Sequence, residues 1–168
     1  MSLAKVIHLI EAMQADGIIG TYALGGAMAA VIYVDPFPTQ DFDFFVHLTG
    51  EVSNLDPLRP IIEYLNPRGY PIEGVEFNIE GLLVQFLPLT SDLTREATEF
   101  ANIVEVEGVQ MRVLSPEYLV VVMLETGRTR DFLRAKMFVD QDVVNLDEIR
   151  LLVKRFGLEA QWQKLQQL

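Results

Sequence analysis

The sequence predicts a mixed α/β or α+β fold: a small mixed β-sheet flanked by helices, with a helical segment at the C-terminal end. Three observations predict it. Apolar periodicity alternates between about 3.6 and 2 residues along the first two thirds of the chain. Glycine-containing dipeptides fall between paired short strand candidates, which marks hairpins. From Ser115 onward every periodic stretch is helical. The expected organisation is an α/β core over residues 1–114, with residues 115–168 packed on it as one compact unit.

The elements follow in order. Leu3, Val6, Ile7, Ile10 and Met13 form a helical stripe over residues 3–15, closed by Asp16-Gly17. Residues 21–24 are a short strand candidate. Gly25-Gly26 turns it into a small-residue helix from Ala27 to about Val34, able to lie close to a sheet. Asp35-Pro36-Phe37-Pro38 is a loop, because each proline restricts itself and the residue before it. Residues 41–48 are a strand with Phe42, Phe44 and Val46 on one face and Asp41, Asp43 and Phe45 on the other. Residues 57–65 are a helix with Asp56 as cap and Pro57 in first position. Gly69-Tyr70-Pro71 breaks the chain. Residues 75–79 and 82–87 form a hairpin through Glu80-Gly81, and residues 103–106 and 111–114 a second around Glu107-Gly108. Between them, residues 92–101 are helical. Ser115-Pro116-Glu117 opens a helix that Thr126-Gly127 ends. Residues 128–141 and 146–155 are two more helices, the latter capped by Asn145 and stopped by Gly157, and a short polar helix finishes the chain.

Composition bounds the function. The 168 residues are half hydrophobic, enough for a sizeable core, and no apolar run approaches the length of a membrane span. No charged segment followed by an apolar run opens the chain, and there is no cysteine. A cytoplasmic location is expected. The net charge of −11 argues against general nucleic-acid binding. The charge is uneven: Lys5 is the only lysine or arginine before Arg59, whereas Arg128, Arg130, Arg134 and Lys136 lie close together. That cluster suits a triphosphate or an RNA backbone, or equally a solvated helix face.

Two features carry chemistry. Gly25-Gly26 permits close approach of backbone to a ligand, and the amides opening the next helix can face an anion. Asp41 and Asp43 share one strand face, within reach of one ion. Mg²⁺ takes one or two carboxylates and completes its shell with water and phosphate oxygens. Each half also has a purely structural reading, a tight turn in one case and a solvated strand face in the other. His8 and His47 form no recognisable site, and Tyr22, Tyr33, Tyr118 and Trp162 read as core or boundary aromatics.

Together, Gly25-Gly26, Thr39 and Asp41-Phe42-Asp43 resemble the signature of the nucleotidyltransferase superfamily. The likeness extends to Leu83-Val84-Gln85-Phe86-Leu87-Pro88, Ser115-Pro116-Glu117-Tyr118-Leu119 and Gly127-Arg128-Thr129-Arg130-Asp131, which look like the minimal bacterial enzymes grouped with AbiEii-type toxins. The resemblance implies a nucleotidyltransferase-like fold. It implies Asp41 and Asp43 as catalytic carboxylates holding Mg²⁺ (or Mn²⁺), with Gly25, Gly26, Thr39, Gln85, Arg128 and Arg130 around a nucleoside triphosphate. A hydroxyl on protein, RNA or a small molecule would attack the α-phosphorus and expel pyrophosphate. A toxin-like member would have a cognate antitoxin as partner.

The pattern departs from the family at two places. A third carboxylate is usual where Gln85 stands, and an amide cannot take a proton at neutral pH. Glu76 or Glu80 is a candidate substitute. Met123 stands where the related toxins carry a lysine. Three readings therefore stand: a Mg²⁺-dependent transferase, a catalytically degenerate nucleotide-binding or protein-interaction domain, and a structural domain without ligand.

Overall fold

The computed structural model describes residues 2–50 and 55–168. The chain runs α1 (Leu3–Ala15), β1 (Ile19–Gly25), α2 (Gly26–Ala30), β2 (Asp41–Leu48), α3 (Arg59–Leu65), a 3₁₀ turn (Asn66–Arg68), β3 (Ile72–Glu73), β4 (Glu76–Ile79) and β5 (Leu82–Pro88). It continues through α4 (Asp92–Glu99), β6 (Asn102–Val106), β7 (Val109–Val113), α5 (Pro116–Thr126), α6 (Thr129–Asp140), α7 (Leu146–Arg155) and α8 (Glu159–Gln166). Seven strands form one mixed sheet in the order β3-β4-β5-β2-β1-β7-β6. β1 is antiparallel to β2, while β2–β5 and β1–β7 are parallel. The expected fold class, a mixed sheet flanked by helices, is the one observed.

β2 occupies the middle of the sheet, so its alternation decides what each face presents. Phe44 and Val46 are buried on one face, and Phe44 sits 6.4 Å from Phe86 and 6.3 Å from Tyr22, ring centroid to centroid. Phe77 closes edge-on against Phe86 at 5.6 Å. These offset and edge-to-face contacts suit the ring quadrupole and hold β4, β5, β2 and β1 in one layer. The other face of β2 carries Asp41, Asp43 and Phe45 under α5, whose residues Tyr118 to Leu124 are all buried.

The local signals explain the helix ends. Ser91 and Thr94 form a reciprocal capping box on α4. Ser115 accepts from the Tyr118 N–H at the head of α5, and Gly127 ends that helix in the left-handed conformation. Asn145 accepts from the Asp147 and Glu148 N–H groups to open α7. Both expected hairpin turns form, with Glu80-Gly81 and Glu107-Gly108 at positive φ.

Four expectations are corrected. The helix expected over 57–65 begins at Arg59. The Asp56 side chain does not cap it: its carbonyl accepts from the Arg59 N–H at 3.3 Å and its carboxylate pairs with Arg59 at 3.7 Å. The small-residue helix stops at Ala30, and Val31–Val34 continue as looser turns where β-branched residues approach Pro36. The strand expected over 21–24 extends over Ile19–Gly25, because its partner β2 is longer and a register shift between Ile19 and Tyr22 absorbs the mismatch. The helix expected to reach Ala101 ends at Glu99, since β6 begins at Asn102. One element has no counterpart among the expected ones: β3, two residues long, pairs with β4 across Gly74-Val75.

Candidate functional site

A cleft of about 610 Å³ opens over the β2 face that carries the two aspartates. It is bounded by the β1–α2 turn, β2, β5, the end of α5 and the start of α6. Asp41 and Asp43 both line it. In the parallel β2–β5 register Asp41 faces Leu83 and Asp43 faces Gln85, so Gln85 is the immediate neighbour of Asp43 across the sheet. Thr39, Gly26, Arg128 and Arg130 also line the cleft.

Gly26 has a structural reason to be glycine. Its φ is +61°, and a Cβ placed there would lie 2.2 Å from the Asp43 Oδ2. The turn backbone and the carboxylate are therefore in direct apposition, which any larger residue would prevent. Gly25 plays a different part. It is the last residue of β1, registered with Asp43, and a Cβ there would meet the Phe45 ring at 2.3 Å. Gly25 lets the aromatic ring fold over the strand and does not itself line the cleft. Helix α2 has only five residues, so helix dipole support at this turn is slight compared with that of the longer helix expected.

The opposite wall is cationic and pre-arranged. Asp131 is buried, with only 4 % of its surface exposed. The Arg128 Nε donates to its Oδ2 at 2.7 Å, and the Arg134 Nη1 lies 3.9 Å from its Oδ1. Arg134 also lies over the Phe37 ring at 5.2 Å, which ties the loop before β2 to α6. Arg130 makes no ion pair among the described residues, is exposed and lines the cleft. The sequence offered Arg134 only as part of the basic cluster suited to a triphosphate, and Asp131 only as the last residue of a family-like motif, with no role for either at the site. The signal was present: an acid three residues after an arginine at a helix start faces back toward it.

Asp43 is electrostatically strained. Burial, then the neighbouring Asp41 charge, push its pKa up from 3.8 to about 6, against the pull of Arg128 and Arg134; Glu76 adds to the rise. Of the two candidate substitutes for the missing third carboxylate, Glu80 is engaged elsewhere. It pairs with Lys5 at 3.3 Å and accepts from Tyr70. Glu76 lies on β4, where continuing the Phe77–Val84 register sets it opposite Gln85. A further carboxylate, Glu125 at the end of α5, lines the cleft and accepts from the Ser91 hydroxyl at 3.2 Å. Met123 lines the cleft as a buried apolar residue. Among the described residues no group of three or more His, Cys, Asp or Glu side chains is arranged to hold a metal ion. His8 and His47 are exposed and lie outside the cleft. Tyr22 and Tyr118 are buried and Tyr33 half-buried, as expected of core and boundary aromatics.

No family model matches the chain, and no curated protein does. Solved structures do. The crystal structure of ANT(2″)-Ia in complex with adenylyl-2″-tobramycin superposes with a TM-score of 0.55 at 14 % identity, covering 96 % of this chain and 99 % of that one. The solution structure of the antibiotic-resistance factor ANT(2″)-Ia gives a TM-score of 0.52 at 15 % identity, over 98 % and 95 % of the two chains. An antigenic nucleotidyltransferase-like protein from Paracoccidioides brasiliensis gives 0.48 at 14 % identity, over 96 % and 92 %. At such identities the likeness is one of fold, and the fold is nucleotidyltransferase-like.

Proposed function

We propose that the protein transfers a nucleoside monophosphate from a nucleoside triphosphate to a hydroxyl acceptor, with Mg²⁺ or Mn²⁺ held by Asp41 and Asp43. The observation that carries this reading is convergence. Two carboxylates on one strand face, a glycine turn touching one of them, and three arginines (Arg128, Arg130 and Arg134) meet in one cleft. The ANT(2″)-Ia crystal structure holds adenylyl-2″-tobramycin, an adenylylated compound, and a transfer of the kind proposed here would yield a molecule of that chemical class.

The donor set suits a hard divalent cation. Two carboxylates suffice when water and phosphate oxygens complete an octahedral shell, and none of the histidine or cysteine ligands that zinc sites most often use lines the cleft among the described residues. Such an ion supplies neutralisation of the triphosphate charge and activation of the attacking oxygen. The chain's own residues do the rest. The Gly26 turn lets the phosphates approach its backbone, and Thr39 offers a hydroxyl beside them. Arg128, fixed by Asp131, and the unpaired Arg130 stabilise charge that builds on the phosphoryl oxygens and on the departing pyrophosphate. The acceptor oxygen forms a bond to the α-phosphorus as the bond from that phosphorus to the bridging oxygen of the β-phosphate breaks. Gln85 cannot take the hydroxyl proton, so it leaves to water in the open cleft.

Gln85 favours a second reading, a nucleotide-binding or protein-interaction domain that has lost transfer. Its amide stands beside Asp43, where a carboxylate would assist catalysis. The toxin-like, AbiEii-type affiliation, a cognate antitoxin and a cytoplasmic setting are supported by the sequence motifs and composition alone. The deciding experiment offers labelled nucleoside triphosphates with protein, RNA and small hydroxyl acceptors, using Asp41→Ala/Asp43→Ala as control. Transfer that vanishes in the double variant supports the first reading, and transfer that survives it overturns the mechanism. Mg²⁺-dependent nucleotide binding without transfer identifies the second.

A further inference from the structure

The face of β2 opposite the aspartates is not fully covered. Phe42, between Asp41 and Asp43 in sequence, projects the other way and lines a second, separate groove of about 580 Å³. Leu3, Met28, Ile32, Leu82 and Val106 line it with Phe42, all half-buried, over a buried floor of Leu24 and Met111. The groove is thus lined almost wholly by apolar side chains on an otherwise strongly acidic chain. Methionine side chains on both wall and floor let such a groove adapt to different apolar shapes.

The rim specifies the partner's charge. Glu105 and Glu107, on β6 and its hairpin turn, are exposed and border the groove. Neither has an ion-pair partner among the described residues, and no lysine or arginine lines the groove to offset them. We infer that the groove behind β2 is a docking site for an amphipathic helix of a partner protein, with apolar residues at i, i+3, i+4 and i+7 facing the groove and lysines or arginines flanking them. Apolar anchors fill the groove and the basic flank meets the two unpaired carboxylates, the pairing of hydrophobic core and charged rim that sets affinity and orientation. This inference is independent of whether the cleft on the other face transfers nucleotides.

The test uses the full chain and a fluorescently labelled synthetic helix with leucine at the four groove-facing positions and lysine elsewhere, titrated by anisotropy. Two control helices keep only half of the pattern: lysines with glutamine replacing leucine, and leucines with glutamate replacing lysine. The leucine–lysine helix is expected to bind saturably, one to one, and both controls at least about tenfold more weakly, a loss of one rim or core contribution. Glu105→Lys/Glu107→Lys, both at exposed positions, and Met28→Gln should each weaken it comparably, and amide shifts on binding should centre on Phe42 and Leu82. Equal binding of the lysine–glutamine helix would reduce the effect to general attraction by an acidic chain and overturn the inference. So would undiminished binding by both variants, or shifts centred on the Asp41–Asp43 cleft.

Discussion

Replacing Asp43 by asparagine should make the metal-free protein more stable while removing its ability to hold a metal. In the unfolded chain Asp43 ionises near 3.8, and in the folded chain near 6. Between those values the folded state binds more protons than the unfolded one. Stability therefore falls as pH rises through the window, and the full cost is present above about pH 6. At about 1.4 kcal/mol per tenfold change in proton affinity the ceiling is about 3 kcal/mol. The cleft admits solvent and the asparagine amide needs its own partners, so a gain of about 1–2 kcal/mol is the working figure. Urea denaturation with a chelator present measures it. Asp43→Asn should exceed the parent near pH 8 and match it near pH 4, and Mg²⁺ binding by titration should be lost. A variant that is less stable than the parent near pH 8, or a difference that does not change with pH, would refute the assignment of strain to this carboxylate. A gain in stability bought at the site of function is the expected signature of an active centre.

Mg²⁺ affinity of the parent chain should weaken as pH falls below about 6, because the Asp43 proton must be displaced, and affinity flat from pH 5 to 8 would put the ion elsewhere. Gly26→Ala should cost about 1–3 kcal/mol in denaturant melts and weaken metal binding, since its Cβ can avoid the Asp43 carboxylate only by moving it. Asp131→Asn leaves Arg128 and Arg134 facing each other without their shared acid. A loss of about 1–3 kcal/mol and roughly tenfold weaker Mg²⁺–nucleotide binding by calorimetry are expected, and an unchanged nucleotide affinity would show that the pairing has no positioning role. Gln85→Asp sets a third carboxylate beside Asp43. Mg²⁺ affinity near pH 8 should rise by about tenfold and transfer of labelled nucleotide should increase, whereas unaltered transfer would mean that Gln85 does not limit the chemistry.

The elements most legible in the sequence were those whose signals are local. α1, β2 and α7 begin and end where periodicity and caps put them, because a stripe such as Val6–Ile7–Ile10 or a cap such as Asn145 needs no distant partner. The departures among the strands occurred where a distant partner decides. β1 is as long as β2 allows, and β3 exists only because β4 offers it an edge. The same division holds at the site. The alternation that sets Asp41 and Asp43 on one face is a local property of a strand. That Asp43 neighbours Gln85 follows from the β2–β5 register, and the clamp of Asp131 on Arg134 from one turn of α6. Glu125 could not have been assigned to the cleft at all, since its place depends on how α5 crosses the sheet.

Strand β2 has consequences for how this sequence can diverge. It has hydrogen-bonded neighbours on both sides, and its two faces do unrelated work. Insertion or deletion of a single residue between Asp41 and Phe44 would send a carboxylate into the aromatic core and a phenylalanine into the cleft. Length changes are therefore confined to the flanking loops, while point changes sort by parity. Substitutions at 41 and 43 should leave a folded protein with a silent cleft, and substitutions at 44 and 46 should remove the protein from the soluble fraction. A saturation library over residues 41–48, scored once for abundance and once for nucleotide binding, would show the two phenotypes alternating along the strand.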